Sequence, residues 1–173
     1  VRENEWDNRH FWRVSNAEHL AMSEDCGIVN LSHFHMVDIE GPDHVELLEW
    51  LCAAKIGGDA NIGKGIYTHF LDDEGMVRAD FTVFRLADRC RLVNGADAGP
   101  RDFHYMKRVA QDRGLDVTIT DTSEKYITIG IWGPNARVTL KKAVADPAGL
   151  DPENFPFAAI KQIEIAGKSV TAF

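Results

Sequence analysis

Residues 65 to 95, GIYTHFLDDEGMVRADFTVFRLADRCRLVNG, decide the fold of this chain because they predict three consecutive antiparallel strands. The turn-forming residues Asp72-Asp73-Glu74-Gly75 separate two runs of strand-type composition, which is typical of a hairpin. Leu92 and Val93 belong to a third strand. The segment is therefore predicted to be a three-stranded meander.

The register of this hairpin determines which side chains share a face of the sheet. If Leu71 lies opposite Met76, then Tyr67 lies opposite Asp80, and successive side chains alternate between the two faces. One face is then apolar, and the other carries Tyr67, His69, Arg78, Asp80 and Thr82. Exposure to water would explain a polar face, since antiparallel sheets commonly solvate one side. The central strand of a meander tends to be covered, however, so we expect a partly covered carboxylate that contacts a ligand or accepts a proton.

Composition and charge restrict the class of protein. The chain has 173 residues, which is long enough for one sizeable core or two thin ones. Its net charge of −8 and pI near 5.3 argue against a broad nucleic-acid surface. No apolar run approaches the roughly 20 residues of a membrane span, and the charged start is not typical of a secretory signal. We therefore predict a cytoplasmic protein with no nucleic-acid or membrane partner.

The cysteines and histidines do not indicate a metal site. Three cysteines, Cys26, Cys52 and Cys90, lie far apart without CxxC spacing, which favours reduced thiols. The segment 32–35, Ser-His-Phe-His, holds residue types of a nucleophile pair or a zinc site. It lacks both a nucleophile elbow and a third ligand in register. Structural hydrogen bonding is the default expectation for this serine-histidine step, Ser32 included.

Amphipathic patterns predict three helices. Two of them begin with a capping pair, Ser15 with Glu18 and Asp43 with Glu46. The third contains an apolar stripe and has a proline near its start. The predicted helices begin near Ser15, Asp43 and Asp97 and end near Asp25, Gly57 and Gly114. Further strands are predicted at residues 28–31, 35–40, 116–120 and 126–132, followed by a hairpin at 160–173 that turns at Ala166-Gly167.

Two parts of the chain echo each other. Residues 39–42, Ile-Glu-Gly-Pro, and 131–134, Ile-Trp-Gly-Pro, each predict a strand that passes through Gly-Pro into a helix. Coincidence is the alternative, because Gly-Pro is common at such junctions. The fold class is predicted as α+β, with antiparallel sheets, packed helices and a possible internal repeat. The predicted division is an N-terminal arm at 1–14, a domain at 15–145, and a linker with the start of a further segment at 146–173. Because the chain ends inside an apolar strand, we expect it to be truncated.

Four motifs in order give the chain a family resemblance: GIVNLSHFHMVDIEGPD at 27–43, GKGIYTHFLDDEGMVRADFTVFR at 63–85, LVNGAD at 92–97 and IGIWGPNARVTL at 129–140. Together they resemble the folate-binding region of the glycine cleavage T-protein (aminomethyltransferase) family. Two departures from the family pattern are Asn30, which stands in place of a usual aspartate, and the single acid in Ala79-Asp80. The single acid looks more like the dimethylglycine and sarcosine dehydrogenase branch. The resemblance implies a tetrahydrofolate-dependent transferase of one-carbon units, or the folate-binding part of an amine demethylase.

The resemblance also implies roles for three residues. Asp80 matches the family's catalytic aspartate, while Tyr67 and Asn94 match residues that hold the pterin of the cofactor, tetrahydrofolate. The implied partners are a small methylated amine or related one-carbon donor, and a flavin dehydrogenase domain or subunit. An ionised carboxylate suits this chemistry because transfer from an amine passes through cationic species and needs proton movement. A non-catalytic folate-binding or regulatory member of the same fold is the alternative.

Overall fold

The computed structural model describes residues 11–95 and 98–173. Within them, the helices are α1 Trp12–Glu24, α2 His44–Leu51, α3 Gly99–Asp112 and α4 Ala136–Lys141. The strands are β1 Gly27–Asn30, β2 His35–Glu40, β3 Lys64–Leu71, β4 Val77–Arg85, β5 Arg89–Asn94, β6 Thr118–Asp121, β7 Ile129–Trp132, β8 Lys161–Ile165 and β9 Lys168–Ala172. Residues 1–10 of the predicted N-terminal arm, and Asp97 of the predicted third helix, lie outside this range.

The described strands form three antiparallel sheets. The largest has five strands in the order β3-β4-β5-β2-β6, while β1 pairs with β7 and β8 pairs with β9. Helices α2 and α3 contribute apolar side chains to one face of the large sheet. There they form the core with strand residues such as Phe70, Phe81, Val83 and Leu92. The predicted α+β class is confirmed, and no helix in the described ranges has the length and apolarity to cross a membrane.

The predicted register of the β3-β4 hairpin is wrong by two residues. Leu71 pairs with Val77, and Tyr67 pairs with Thr82 rather than with Asp80. The turn closes one residue later than predicted, because the amide of Asp72 donates to the carbonyl of Met76. A β-bulge between the Leu71–Val77 and Phe70–Ala79 pairs leaves Arg78 as an extra residue in β4 and shifts the pairing by a second residue. Since two extra residues restore the alternation of side chains, Tyr67 and Asp80 remain on one face.

The internal echo corresponds to a structural repeat. Gly41 and Gly133 both have positive φ angles, 111° and 115°, at junctions that lead into α2 and α4. Gly41 lies against the backbone carbonyl of Asp116, and Gly133 lies against that of Asp25. A Cβ added to either glycine would be 2.6 Å or less from the carbonyl oxygen. The amides two residues after these glycines donate to the same two carbonyls. Both junctions therefore need glycine, and the two strand-to-helix units share one design.

The two predicted capping pairs do not cap their helices, although Asp43 does stand at the N-cap of α2. Helix α1 begins at Trp12, before Ser15, and Phe11 at its N-cap makes no side-chain capping bond. Asp43 is the N-cap of α2, but its carboxylate accepts from the amide of Asp116 instead of capping its own helix. Asp43 therefore ties α2 to the segment before β6.

The C-terminal hairpin forms as predicted and contacts the large sheet. Ala166 and Gly167 have φ angles of 50° and 73°, which suit a two-residue turn between β8 and β9. The backbone of residues 158–160 bonds to Gly63 and Gly65 at the start of β3. Phe173 packs so closely on Gly65 that a Cβ there would lie 2.2 Å from its ring. Residues 158–160 and Phe173 therefore contact the edge of the sheet.

Candidate active site

Tyr67 and Asp80 form a hydrogen-bonded pair on the polar face of the large sheet. The hydroxyl of Tyr67 donates to Oδ2 of Asp80 at 3.2 Å. Because the bonded carboxylate accepts this proton and its charge disfavours a tyrosinate, the pKa of Tyr67 is raised above its ordinary value. No side chain or backbone group in 11–95 or 98–173 donates to Oδ1 of Asp80. That oxygen is available to a donor on a ligand.

The polar face differs from the prediction in two ways. Tyr67 is 62% exposed, and Asp80 is exposed too, so the described residues do not cover the pair as expected. The bulge also turns Arg78 away from Asp80, and its guanidinium stacks over the ring of Tyr105 at 4.1 Å on the side of α3. Without a neighbouring cation from Arg78, Asp80 presents its negative charge to whatever approaches this face.

Aromatic groups border the Tyr67–Asp80 pair. His69 lies directly opposite Asp80 across the strands, and its ring meets the ring of Tyr67 edge-on at 5.4 Å. At the start of β3, Phe84 and Phe173 pack at 4.8 Å. Phe84 shares the face of Asp80 because the two are four residues apart in one strand. An exposed tyrosine ring beside a carboxylate acceptor suits a flat heterocycle that carries N–H donors.

Asn94 lies apart from this pair. Alternation along β5 gives Asn94 the face of the buried Leu92, which is the core face rather than the face of Tyr67. Its Nδ2 donates to Asp102 at 3.3 Å, while its Oδ1 is buried and has no partner among the described residues. The structure thus brings two of the three predicted site residues together and leaves Asn94 on the opposite side of the sheet.

A cavity of about 470 Å³ opens where β2 begins. His35, one of its lining residues, is 8% exposed, and Nε2 of its ring lies 3.2 Å from Oδ2 of Asp121. Ser32, also in the lining, accepts from the amide of Thr128, which confirms the structural role predicted for it. Sequence reasoning missed the His35–Asp121 pair, since 86 residues separate its members.

A second ion pair fixes the wall of this cavity. Arg91 donates from Nε and Nη2 to both oxygens of Asp38, at 2.7 and 2.8 Å. Nη2 also donates to the hydroxyl of Tyr126, whose ring lies 4.0 Å from the guanidinium carbon. Because Tyr126 lines the cavity, the position of this wall depends on Arg91. The two-pronged bond also holds the pKa of Arg91 above its ordinary value.

The three cysteines are free thiols, of which Cys90 lies in the core and Cys52 packs against it. Burial raises the pKa of Cys52 to about 12 and that of Cys90 to about 11, which makes both weak nucleophiles. Within 11–95 and 98–173, no cluster of three or more His, Cys, Asp or Glu side chains is placed to hold a metal ion.

Comparison with protein families accounts for almost the whole chain. The model of the GCVT N-terminal domain matches residues 2–173. The chain belongs to the GCVT N-terminal domain family. This confirms the resemblance inferred from the four motifs, and the domain is a folate-binding one in its family. The family relationship and the α+β fold agree with each other.

Its relatives are longer proteins of two kinds. The aminomethyltransferase of Bordetella pertussis is 32% identical over 133 residues, which is 76% of this chain and 36% of the relative. Mitochondrial dimethylglycine dehydrogenase of Rattus norvegicus is 28% identical over 164 residues, 94% of this chain and 19% of the relative. The formaldehyde-forming 4-methylaminobutanoate oxidase of Paenarthrobacter nicotinovorans is 33% identical over 76% of this chain and 16% of its own length. The chain therefore spans about a third or less of these GCVT relatives.

Solved structures show the same fold. Aminomethyltransferase T from Bartonella henselae superposes with a TM-score of 0.70 at 25% identity, covering 83% of this chain and 37% of that one. A chain of heterotetrameric sarcosine oxidase from Corynebacterium sp. U-96 gives a TM-score of 0.61 at 14% identity, covering 93% of this chain and 77% of that one. At that identity the second likeness concerns the fold alone.

Proposed function

We propose that this chain is the folate-binding part of a tetrahydrofolate-dependent enzyme that transfers one-carbon units, with Asp80 as its catalytic residue. The observation that carries the proposal is the hydrogen bond between Tyr67 and Asp80 on the open polar face, in a domain of the GCVT family. When bound, tetrahydrofolate would supply a nitrogen that accepts the one-carbon unit. Its planar pyrimidine ring and N–H groups suit an exposed phenol ring and a carboxylate acceptor.

Asp80 has two roles in this proposal. Its ionised carboxylate lies opposite the positive charge that develops when a one-carbon unit leaves an amine, and so stabilises the transition state. Its Oδ1, which has no donor among the described residues, accepts a proton from a nitrogen or returns one. The bond from Tyr67 to Oδ2 holds the carboxylate in a fixed orientation while it does so.

Tyr67 and Asn94 hold the cofactor in this proposal, and their places differ. The ring of Tyr67 offers an exposed apolar face on the side of Asp80, where a pterin would stack. Asn94 lies at the end of β5 on the opposite side of the sheet, where its Nδ2 donates to Asp102 and its buried Oδ1 has no partner among the described residues, so a ligand must extend around the end of the strand to contact it. A ligand at the end of the sheet would need to contact both.

The proposed one-carbon donor and partner are inferred from the names of the relatives. The names of dimethylglycine dehydrogenase and 4-methylaminobutanoate oxidase describe oxidation of methylated amines. We propose a small methylated amine as the one-carbon donor, and a flavin dehydrogenase domain or subunit as the partner that acts on it. The cytoplasmic location expected from the sequence stays a prediction.

The proposal is tested by comparing two carboxylate replacements in the protein that carries this chain. Asp80→Asn keeps the size of the side chain and removes its charge, so turnover should fall about 10²- to 10³-fold, while tetrahydrofolate affinity changes less. Asp73→Asn removes an exposed acid from the turn of the same hairpin and should leave turnover unchanged. Near-normal turnover in Asp80→Asn would refute the role of Asp80. A wild-type protein that does not bind tetrahydrofolate would refute the function itself.

A further inference from the structure

Helix α3 carries a group of arginines that the proposed reaction does not use. Arg101, Tyr105 and Arg108 occupy positions i, i+4 and i+7 of the helix, which places them on one face. Arg78 reaches the ring of Tyr105 from β4, with its guanidinium carbon 4.1 Å from the ring centroid, and the guanidinium carbon of Arg108 lies 5.3 Å from the same centroid. The three arginines around Tyr105 form one group, the arginine cluster.

Contacts within the protein hold the arginine cluster in place. Nη2 of Arg101 donates to the backbone carbonyl of Arg78 at 2.8 Å, which joins the start of α3 to β4. The guanidinium groups of Arg78 and Arg108 lie near the ring of Tyr105, where attraction between a cation and an aromatic face limits their movement. Because these side chains are already ordered, they lose less conformational entropy when a partner binds them.

The described residues do not neutralise the cluster. Arg101 pairs with Asp102, whose side chain is only 2% exposed. Arg78 and Arg108 contact the ring of Tyr105 but form no ion pair within 11–95 and 98–173. Along the exposed face of α3, the next acid is Asp112, one turn after Arg108. Three arginines thus face two carboxylates, one of them buried, and the cluster keeps a net positive charge.

The charge of the whole chain restricts which anion suits this surface. Exposed Lys107, which lies 4.7 Å from the ring of Phe103, adds a further cation to α3, yet the chain as a whole has a net charge of −8. An extended polyanion such as a nucleic acid or an anionic membrane would meet that negative charge around the cluster. A short acidic segment of a protein would meet the arginines alone. Arginine and tyrosine are also the residue types that protein interfaces favour.

We propose that the arginine cluster is a docking surface for a protein partner, which presents an acidic segment whose carboxylates bond to Arg78, Arg101 and Arg108. A guanidinium group can bond a carboxylate through two parallel N–H donors, which gives the contact a direction as well as a charge. The cluster lies on the α3 side of the sheet, whereas Asp80 lies on the other face. This docking surface therefore does not depend on the proposed function.

The test measures the binding of two labelled peptides to the 173-residue chain by fluorescence anisotropy. Hexaglutamate and hexaglutamine are nearly equal in size and differ in charge. Hexaglutamate should bind saturably, with a dissociation constant that rises with salt concentration because the contact is ionic, and hexaglutamine should not bind. No saturable binding of hexaglutamate, or equal binding of both peptides, would overturn the proposal. Tighter binding of a thymidine hexanucleotide than of hexaglutamate would overturn the choice of a protein partner.

Single replacements locate the docking surface. Arg78→Gln and Arg108→Gln should each raise the dissociation constant of hexaglutamate about threefold to fivefold, as expected when one exposed ion pair is lost. The double variant should raise it about tenfold or more, since the two effects multiply. Arg113→Gln is the control, because it removes the same charge from the end of the same helix, where Arg113 stacks on Trp50 and its Nη2 lies 3.9 Å from Oε1 of Glu46. It should leave hexaglutamate binding close to that of the wild type.

The control and the fold of the variants decide between a docking surface and general charge attraction. If Arg113→Gln weakened hexaglutamate binding as much as Arg108→Gln, the attraction would be nonspecific and the docking surface would be refuted. Arg108 is exposed on its helix, so Arg108→Gln should unfold at about the same urea concentration as the wild type. Weaker hexaglutamate binding by folded Arg108→Gln would support the surface even in a protein that fails to bind tetrahydrofolate. Conversely, tetrahydrofolate binding together with unchanged hexaglutamate binding in the double variant would leave the proposed function standing and remove this inference.

Discussion

The ion pair between Asp38 and Arg91 gives a prediction whose size follows from the structure. The side chains of Asp38 and Arg91 are 5% and 14% exposed, and two short hydrogen bonds join them. Removing one partner of a buried pair leaves the other charge buried without compensation, which lowers the free energy of unfolding by about 3–5 kcal/mol. In Asp38→Ala, Arg91 keeps only the hydroxyl and ring of Tyr126. We therefore expect a loss of about 3 kcal/mol in the free energy of unfolding.

The reverse replacement should cost less. In Arg91→Met, Asp38 still has Nη1 of Arg89 at 3.7 Å, so its charge remains partly compensated. Urea unfolding of the 173-residue chain, followed by circular dichroism, measures both variants and the double variant Asp38→Ala/Arg91→Met. The double variant should be more stable than the sum of the single losses predicts, by at least about 1 kcal/mol. Additive losses, or a larger loss in Arg91→Met than in Asp38→Ala, would refute this reasoning.

Two further predictions concern the repeat junction and the site. In Gly41→Ala the new Cβ requires a positive φ and clashes with the Asp116 carbonyl, so the free energy of unfolding should fall by about 3 kcal/mol or more. Gly58→Ala is the control, because Gly58 also has a positive φ, 93°, but faces open space, and it should cost about 1 kcal/mol. Equal losses in thermal or urea unfolding would contradict the close approach at Gly41. Asp80→Asn weakens the hydrogen bond that the carboxylate accepts from Tyr67 and removes the charge that disfavours a tyrosinate, so the pKa of Tyr67 should fall towards its ordinary value. A ¹³C titration of the tyrosine ring carbons measures this pKa, and an unchanged value would contradict the Tyr67–Asp80 bond.

The faces of the β3-β4 hairpin were predictable from the sequence although its register was not. Alternation of polar and apolar residues specifies which side chains share a face, and burial of the apolar set enforces it. It does not specify where a bulge inserts a residue. Here the later turn at Asp72 and the bulge each shift the pairing by one residue, and the two shifts cancel in their effect on faces. That is why Tyr67 meets Asp80 diagonally rather than directly.

Contacts between distant strands were not predictable. His35 meets Asp121 because β2 pairs with β6, and Asp38 meets Arg91 because β2 pairs with β5. No motif spacing reflects these pairings, since hairpin rules apply only to strands that are neighbours in sequence. The Gly-Pro echo predicted that two junctions are related, but not that Gly41 packs on the carbonyl of Asp116 and Gly133 on that of Asp25.

Helix starts show the same limit. Ser15 and Asp43 have the residue types of helix caps, yet α1 begins before Ser15, and Asp43 bonds to the amide of Asp116. A side chain that can cap its own helix can also bond to a neighbouring segment, and tertiary contacts decide between the two.

The most direct test of the account is the dissociation constant of tetrahydrofolate for the protein that carries this chain, measured for the wild type and for Tyr67→Ala. If the pterin stacks on Tyr67 beside Asp80, the loss of the ring should weaken binding about tenfold, as expected for a stacking contribution near 1.4 kcal/mol. Tyr105→Ala, which removes a tyrosine from the α3 side of the sheet, should leave affinity unchanged. Equal affinity in the wild type and Tyr67→Ala, or no binding by the wild type, would contradict the central claim.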